Sequence, residues 1–229
     1  SGKEKIIYGK KAEEYVKAGK GKKMPANYAH NVYDENTHTA TSTMKKEVLV
    51  LDPSELPGLV YFLPTPKSPH GCDVDPSGEY IVGSGKLSAN LTIHSFSKMI
   101  KAIENKKFAG HAYNIPILNA ADVLGGVVEQ AGLGPLHTEF DDKGNAYTTF
   151  FITSEVVKWK LKTWEVVDRK PTYYSVGHLM IPGGNSRKPT GKYLLAMNKI
   201  TKDRYLPTGP EVTQSAQLFD ISGEKMELL

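Results

Sequence analysis

A chain of 229 residues is long enough to bury a sizeable core, and with 39% hydrophobic residues and no run of 18 apolar ones it excludes a membrane-spanning helix. Its formal charge is +4, and of its 29 basic residues only Arg169, Arg187 and Arg204 are arginine. Planar, bidentate recognition of phosphates and base edges favours arginine, so nucleic acid is excluded as a partner and the lysines read as a solvated face. Cys72 is the one cysteine, so an intrachain disulfide is ruled out. It follows His70 by two residues. A lone cysteine cannot supply a two-cysteine copper or zinc motif, and Cys72 reads as a small buried side chain. There is no initiator methionine, apolar leader or transit segment, and both ends read as cuts through a longer protein.

In chain order, residues 10–19 (KKAEEYVKAG) predict a short helix ended by Gly19. Residues 20–45 are polar and rich in Asn and Thr, and predict an exposed loop or insertion with His30 and His38 on its surface. Two short strands follow, KKEVLV and GLVYFL, the second broken by Pro64 and Pro66. GCDVDPSGEYIVGSG predicts a hairpin across Asp75-Pro76-Ser77-Gly78. LTIHSF alternates, with Leu91 and Ile93 on one face and Thr92 and His94 on the other, which places His94 on an outer face. SKMIKAIENKK predicts an amphipathic helix over about 97–107, with Met99, Ile100 and Ile103 on one side. His111 falls in the loop after it. Residues 137–161 give three strands of a meander; TWEVVDRKP adds an outer strand, and KYLLAMNKI and QLFDIS a further pair.

Three segments repeat one arrangement. Each has a histidine, a short apolar stretch, a Gly-containing turn and an aromatic-led strand. They are SPHGCDVDPSGEYIVGSG around His70, GPLHTEFDDKGNAYTTFF around His137 and VGHLMIPGGNSRKPTGKYLLAMN around His178. Gly78 and Tyr80, Gly144 and Tyr147, and Gly191 and Tyr193 hold matching places. His137 to His178 is 41 positions, the length of a propeller blade. His70 to His137 is 67 positions, which leaves room for the 97–107 helix as an insertion. The fold class expected is all-β, in consecutive four-stranded antiparallel blades with short helices in insertions. Pro or Gly stands just before each histidine, so a close backbone approach aims each ring from the start of a strand. One histidine per blade at one radius converges on the axis, where imidazoles suit copper, zinc, iron or nickel. No HExxH, CxxC or HxH motif is present.

SPHGCDVDPSGEYIVGSGKL, GLGPLHTEFDDKGNAYTTFF with VVKW, SVGHLMIPGG, and GKYLLAMNKITKDRYLPTGP with QLFDISGEKM resemble nitrous-oxide reductase, most closely its Sec-type (clade II) branch. The resemblance runs from about Pro66 to the C-terminus. It implies that residues 1–229 are the middle-to-late blades of a seven-bladed propeller, whose hub histidines hold a four-copper, sulfide-bridged cluster. On it, His70, His137 and His178 match three of the copper ligands. Lys199 matches a lysine beside the cluster and becomes the candidate catalytic residue. The reaction implied is reduction of nitrous oxide to dinitrogen and water. A cytochrome or cupredoxin would be the electron donor, the periplasm the location and a homodimer the assembly. The dinuclear copper domain is absent from the chain. Calcium is a further implied cofactor, but Ser68 stands where the family has an asparagine ligand.

Two other readings are open on the residues alone. One is a non-catalytic propeller scaffold with the histidines as hub packing. The other is a calcium- or zinc-dependent propeller hydrolase, for which Asp73 and Glu139 are the nearby carboxylates, both alternating along their strands.

Overall fold

The computed structural model of the chain describes residues 2–26, 31–34, 36–37, 39–42, 46–199 and 214–229. These fall into two compact units. The smaller comprises Lys5–Tyr61 with His111–Pro116, and the larger Ser1–Glu4, Phe62–Gly110 and Ile117–Leu229.

The chain opens with β1 (Gly2–Ile7), helix α1 (Gly9–Lys17), β2 (Lys22–Ala26), β3 (Asn31–Asp34), β4 (Thr39–Ser42) and β5 (Lys46–Val50). Gly19 ends α1 as expected, at a left-handed φ of 69°. In the smaller unit the Tyr15 hydroxyl donates to the Pro57 carbonyl at 2.7 Å. Residues 20–45, expected as a loop or insertion, carry strands: β2 pairs antiparallel with β5, and β3 with β4. His30 and His38 lie outside the described residues.

Next come β6 (Val60–Thr65), β7 (Pro69–Val74), β8 (Tyr80–Gly85), β9 (Leu91–Ser95), α2 (Phe96–Glu104), β10 (Phe108–Ala112), β11 (Ile115–Leu118), α3 (Ala120–Val123) and β12 (Leu124–Val128). Two regular runs finish the chain. The first is β13 (Pro135–Phe140), β14 (Asn145–Phe150), β15 (Glu155–Lys160) and β16 (Val166–Pro171). The second is β17 (Val176–Met180), β18 (Tyr193–Asn198), β19 (Ser215–Asp220) and β20 (Glu227–Leu228). Three sheets are four-stranded antiparallel blades, in the orders β7-β8-β9-β12, β13-β14-β15-β16 and β17-β18-β19-β20. A further sheet has the order β1-β6-β11-β10 and departs from the expected pattern, because β11 runs parallel to β6 with Ile117 opposite Phe62. The cause is the insertion between β9 and β12. It returns two strands to an earlier sheet instead of adding only a helix. His111, expected in a loop, therefore lies in β10, where it is exposed.

The local reasons are legible. Ser95 caps α2, its hydroxyl accepting from the Lys98 amide at 3.2 Å. Met99 and Ala102 are the buried side of that helix. Asp141 organises the β13–β14 turn. Its carboxylate accepts from the amides of Lys143 and Asn145, both at 2.8 Å, and from the Tyr147 hydroxyl at 3.0 Å, while Gly144 takes φ 81°. Asp75 and Gly78 do the same between β7 and β8. The third repeat differs. Its loop is longer, and the left-handed glycine is Gly183, not Gly191.

Two cores lie between successive blades. Val82, Leu91 and Ile93 pack with Phe140, Ala146, Phe150, Val157 and Trp159. Tyr147 and Val156 pack with Val176, Leu179, Ile181, Leu194, Phe219 and Met226. Strand β14 is buried at every position. Ala146 and Phe150 enter one core and Tyr147 the other, as period-two alternation requires. Each large side chain so buried contributes about 1.5–3 kcal/mol.

The expectation for His94 is overturned. It is 1% exposed, and neither ring nitrogen has a hydrogen-bond partner among the described residues. The alternation of β9 holds, but both faces of a blade are covered, so the second face is not an outer one. Burial lowers the His94 imidazole from its usual 6.5 to about 4. The unfolded chain therefore binds a proton before the folded one does as pH falls. Stability is full above pH 6.5 and is lost progressively down to about pH 4, by roughly 3 kcal/mol at most from this group. The thermal midpoint of a His94→Leu variant should fall less steeply between pH 6.5 and 4.5 than that of the parent. Parallel curves would refute a buried neutral imidazole.

Candidate metal centre

The three blades present their first strands side by side, with β13 between β7 and β17. His70 is the second residue of β7, and His137 and His178 are the third residues of β13 and β17. In each strand the pairing register breaks around the histidine: between Pro69 and Cys72, between Pro135 and Thr138, and between Val176 and Leu179. A bulge at the start of a strand turns a side chain out of the regular alternation. Here it does so three times and brings the rings together. The centroids of His70 and His137 are 4.8 Å apart, edge to face. Those of His137 and His178 are 4.5 Å apart, stacked at 23°. His137 is the middle ring.

Glycines make the approach sterically feasible. A Cβ on Gly71 would come within 1.9 Å of the Leu136 carbonyl oxygen, so β7 and β13 can meet there only without one. A Cβ on Gly177 would come within 2.1 Å of Lys199 Cε, so the lysine stem lies across the glycine next to His178. The Gly177 carbonyl accepts from the Thr149 hydroxyl at 2.5 Å.

The electrostatics favour neutral imidazole. His70 is lowered by burial and then by the neighbouring His137 and Lys199 charges. His178 is lowered by burial and by the same two neighbours. A neutral ring keeps a lone pair for a metal. Lys199 is thus within electrostatic reach of both outer histidines. The structure brings all four predicted site residues into one neighbourhood.

Asp73 and Glu139, the carboxylates of the hydrolase reading, form a second tier whose role of tying strands the sequence did not show. Asp73 Oδ2 accepts from the Thr138 amide at 2.8 Å, and its Oδ1 is 3.7 Å from His137 Nδ1. Glu139 Oε2 accepts from the Ile181 amide at 2.6 Å, and burial raises its carboxyl. Asp73 thus ties β7 to β13, and Glu139 ties β13 to the residue just after β17. Neither is an open-facing hydrolase carboxylate. Their sequence signals were Gly71 and Gly184, where a Cβ would come within 2.8 Å of Asp73 Oδ2 and 2.3 Å of Glu139 Oε2. Cys72, expected to be buried, is exposed. Its thiol is nonetheless pushed up to about 12, first by desolvation where it adjoins its neighbours and then by the Glu4 and Asp73 charges, so it is not a ready thiolate.

Among the described residues no group of three or more His, Cys, Asp or Glu side chains could by itself hold a metal ion. Three neighbouring imidazoles fit a share in a larger centre that draws further ligands from elsewhere. They do not fit a closed single-ion site.

Consecutive four-stranded antiparallel blades, with an imidazole on each of three successive first strands, are the architecture of a β-propeller. A family model described as the nitrous oxide reductase propeller repeat matches residues 169–229. The nitrous-oxide reductase of Stutzerimonas stutzeri is 38% identical over 178 residues, 73% of this chain and 26% of that protein. That of Ralstonia nicotianae is 34% identical over 228 residues, 95% of this chain and 32% of that protein. Among solved structures, the Cps50 (Swd1) β-propeller domain of Myceliophteria thermophila aligns with a TM-score of 0.45 at 6% identity, over 71% of this chain and 38% of that one. The chain belongs to the nitrous-oxide reductase family. It spans about a quarter to a third of the length of these curated relatives.

Proposed function

We propose that this chain forms middle-to-late blades of a seven-bladed nitrous-oxide reductase propeller and gives His70, His137 and His178 to a copper–sulfide cluster at its hub. The reaction is N2O + 2 e− + 2 H+ → N2 + H2O. The observation that carries this reading is the convergence of three bulge-borne imidazoles, with centroids 4.8 and 4.5 Å apart in sequence order, in a chain similar to reductases along most of its length. When bound, the copper centre would supply electrons and several metal positions to a weakly coordinating, inert gas.

The chain's own residues have distinct tasks. The three imidazoles bind metal in their neutral form. Gly71 and Gly177 let the first strands and Lys199 close in. Lys199 holds a positive charge beside the rings, where it can donate a hydrogen bond to an oxygen that gains negative charge and leaves as water. On this reading the complete enzyme takes its electrons from a cytochrome or cupredoxin, works in the periplasm and pairs as a homodimer. Calcium would have to bind without an amide ligand at Ser68.

The test is the copper and sulfide content of the complete reductase with its rate of nitrous-oxide consumption. Absence of copper would overturn the reading. Lys199→Ala should keep the copper and lose about tenfold or more in turnover. Equal loss of copper would assign the lysine to assembly and not to the chemical step.

A further inference from the structure

The contact between Asp73 and His137 does more than join two strands. We infer that Asp73 is a positioning residue that selects the His137 tautomer, holding the proton on Nδ1 and leaving Nε2 free as the metal-binding nitrogen. The inference rests on the copper reading for its consequence, but not for its geometry.

The two carboxylate oxygens are already allotted. Oδ2 accepts from the Thr138 amide at 2.8 Å, which fixes the carboxylate plane from the residue next to His137. Oδ1 then stands 3.7 Å from His137 Nδ1. A negative oxygen at that distance favours a hydrogen on the facing nitrogen and disfavours a lone pair there. The side chains of His137 and Asp73 are 26% and 22% exposed, so screening by water is partial. Gly71 leaves room for the carboxylate there, since a Cβ would come within 2.8 Å of Oδ2. A ligating histidine whose other nitrogen faces a carboxylate is oriented and made more basic by it.

Asp73→Asn gives a sharp test. Asparagine has one carbonyl oxygen, and the Thr138 amide requires it. The amide NH2 must then face His137 Nδ1 as a donor. This reverses the preference: Nδ1 keeps its lone pair and the proton moves to Nε2, the nitrogen a metal would need. Backbone anchoring survives while the tautomer inverts. A purely structural role predicts no such inversion.

The experiment uses the complete protein, metal-free and copper-loaded, with selective 15N labelling of histidine rings and a His137→Gln variant to assign the signals. In metal-free parent protein the His137 nitrogens should report the Nδ1–H tautomer, and in Asp73→Asn the Nε2–H tautomer, with the thermal midpoint little changed. With copper bound, loss of metal to a competing chelator should be about 10–100-fold easier in the variant. An unchanged tautomer in the variant overturns the inference, whatever the copper result. A tautomer that inverts in a protein that holds no copper upholds the role of Asp73 and overturns only the metal reading of the hub.

Discussion

Replacing His137 by alanine in the complete reductase should abolish stable copper loading and lower nitrous-oxide consumption by about a hundredfold or more. His137 is the middle ring, flanked at 4.8 and 4.5 Å, so its loss opens a gap between the two remaining rings and does not merely shorten a row. Loss of a ring that is one-quarter exposed leaves the blade cores intact, because His137 belongs to neither. Copper per chain and the rate should therefore fall together while the thermal midpoint of the metal-free protein stays near that of the parent. Full activity in the variant would refute the assignment of this histidine to the metal.

Trp159→Ala should be the most damaging change to the fold. Trp159 is fully buried in the core between the β7–β12 and β13–β16 blades. Its indole N–H donates to the Thr148 hydroxyl at 2.9 Å, and Thr148 shares a 2.7 Å hydrogen bond with Thr138, the residue after His137. Truncation leaves a cavity and removes one of the two hydrogen bonds of the Thr148 hydroxyl, which keeps its bond with Thr138, at a cost of about 3–5 kcal/mol. Chemical unfolding should show that loss, and Trp159→Phe should recover most of it. A change below about 1 kcal/mol would mean that the blades do not pack through this residue.

Much of this was legible in the residues. The repeated His–turn–aromatic segments placed the three histidines on equivalent first strands, and the 41-residue spacing gave the blade. Asp-x-x-Gly turns and alternating strands did the rest for residues 135–171. Other features were hidden for physical reasons. β10 and β11 are short strands that join a sheet begun far earlier in the chain, and no local pattern announces a distant partner. His94 was misplaced because alternation marks two faces but not which of them is wet. The bulges are invisible to a period-two reading, although Gly71 and Gly177 mark two of the three. The Asp73 and Glu139 ties need two strands in space before either acid has a partner.

Strand β14 serves two compartments with alternate residues: Ala146 and Phe150 on one side, Tyr147 on the other. A one-residue insertion or deletion inside it would exchange the occupants of both at once, sending a phenol ring into a space shaped for alanine and the reverse. Such a frameshift of side chains has no local repair. Length drift among relatives should therefore avoid β14 and gather in connections such as residues 181–192, where added loop length costs little.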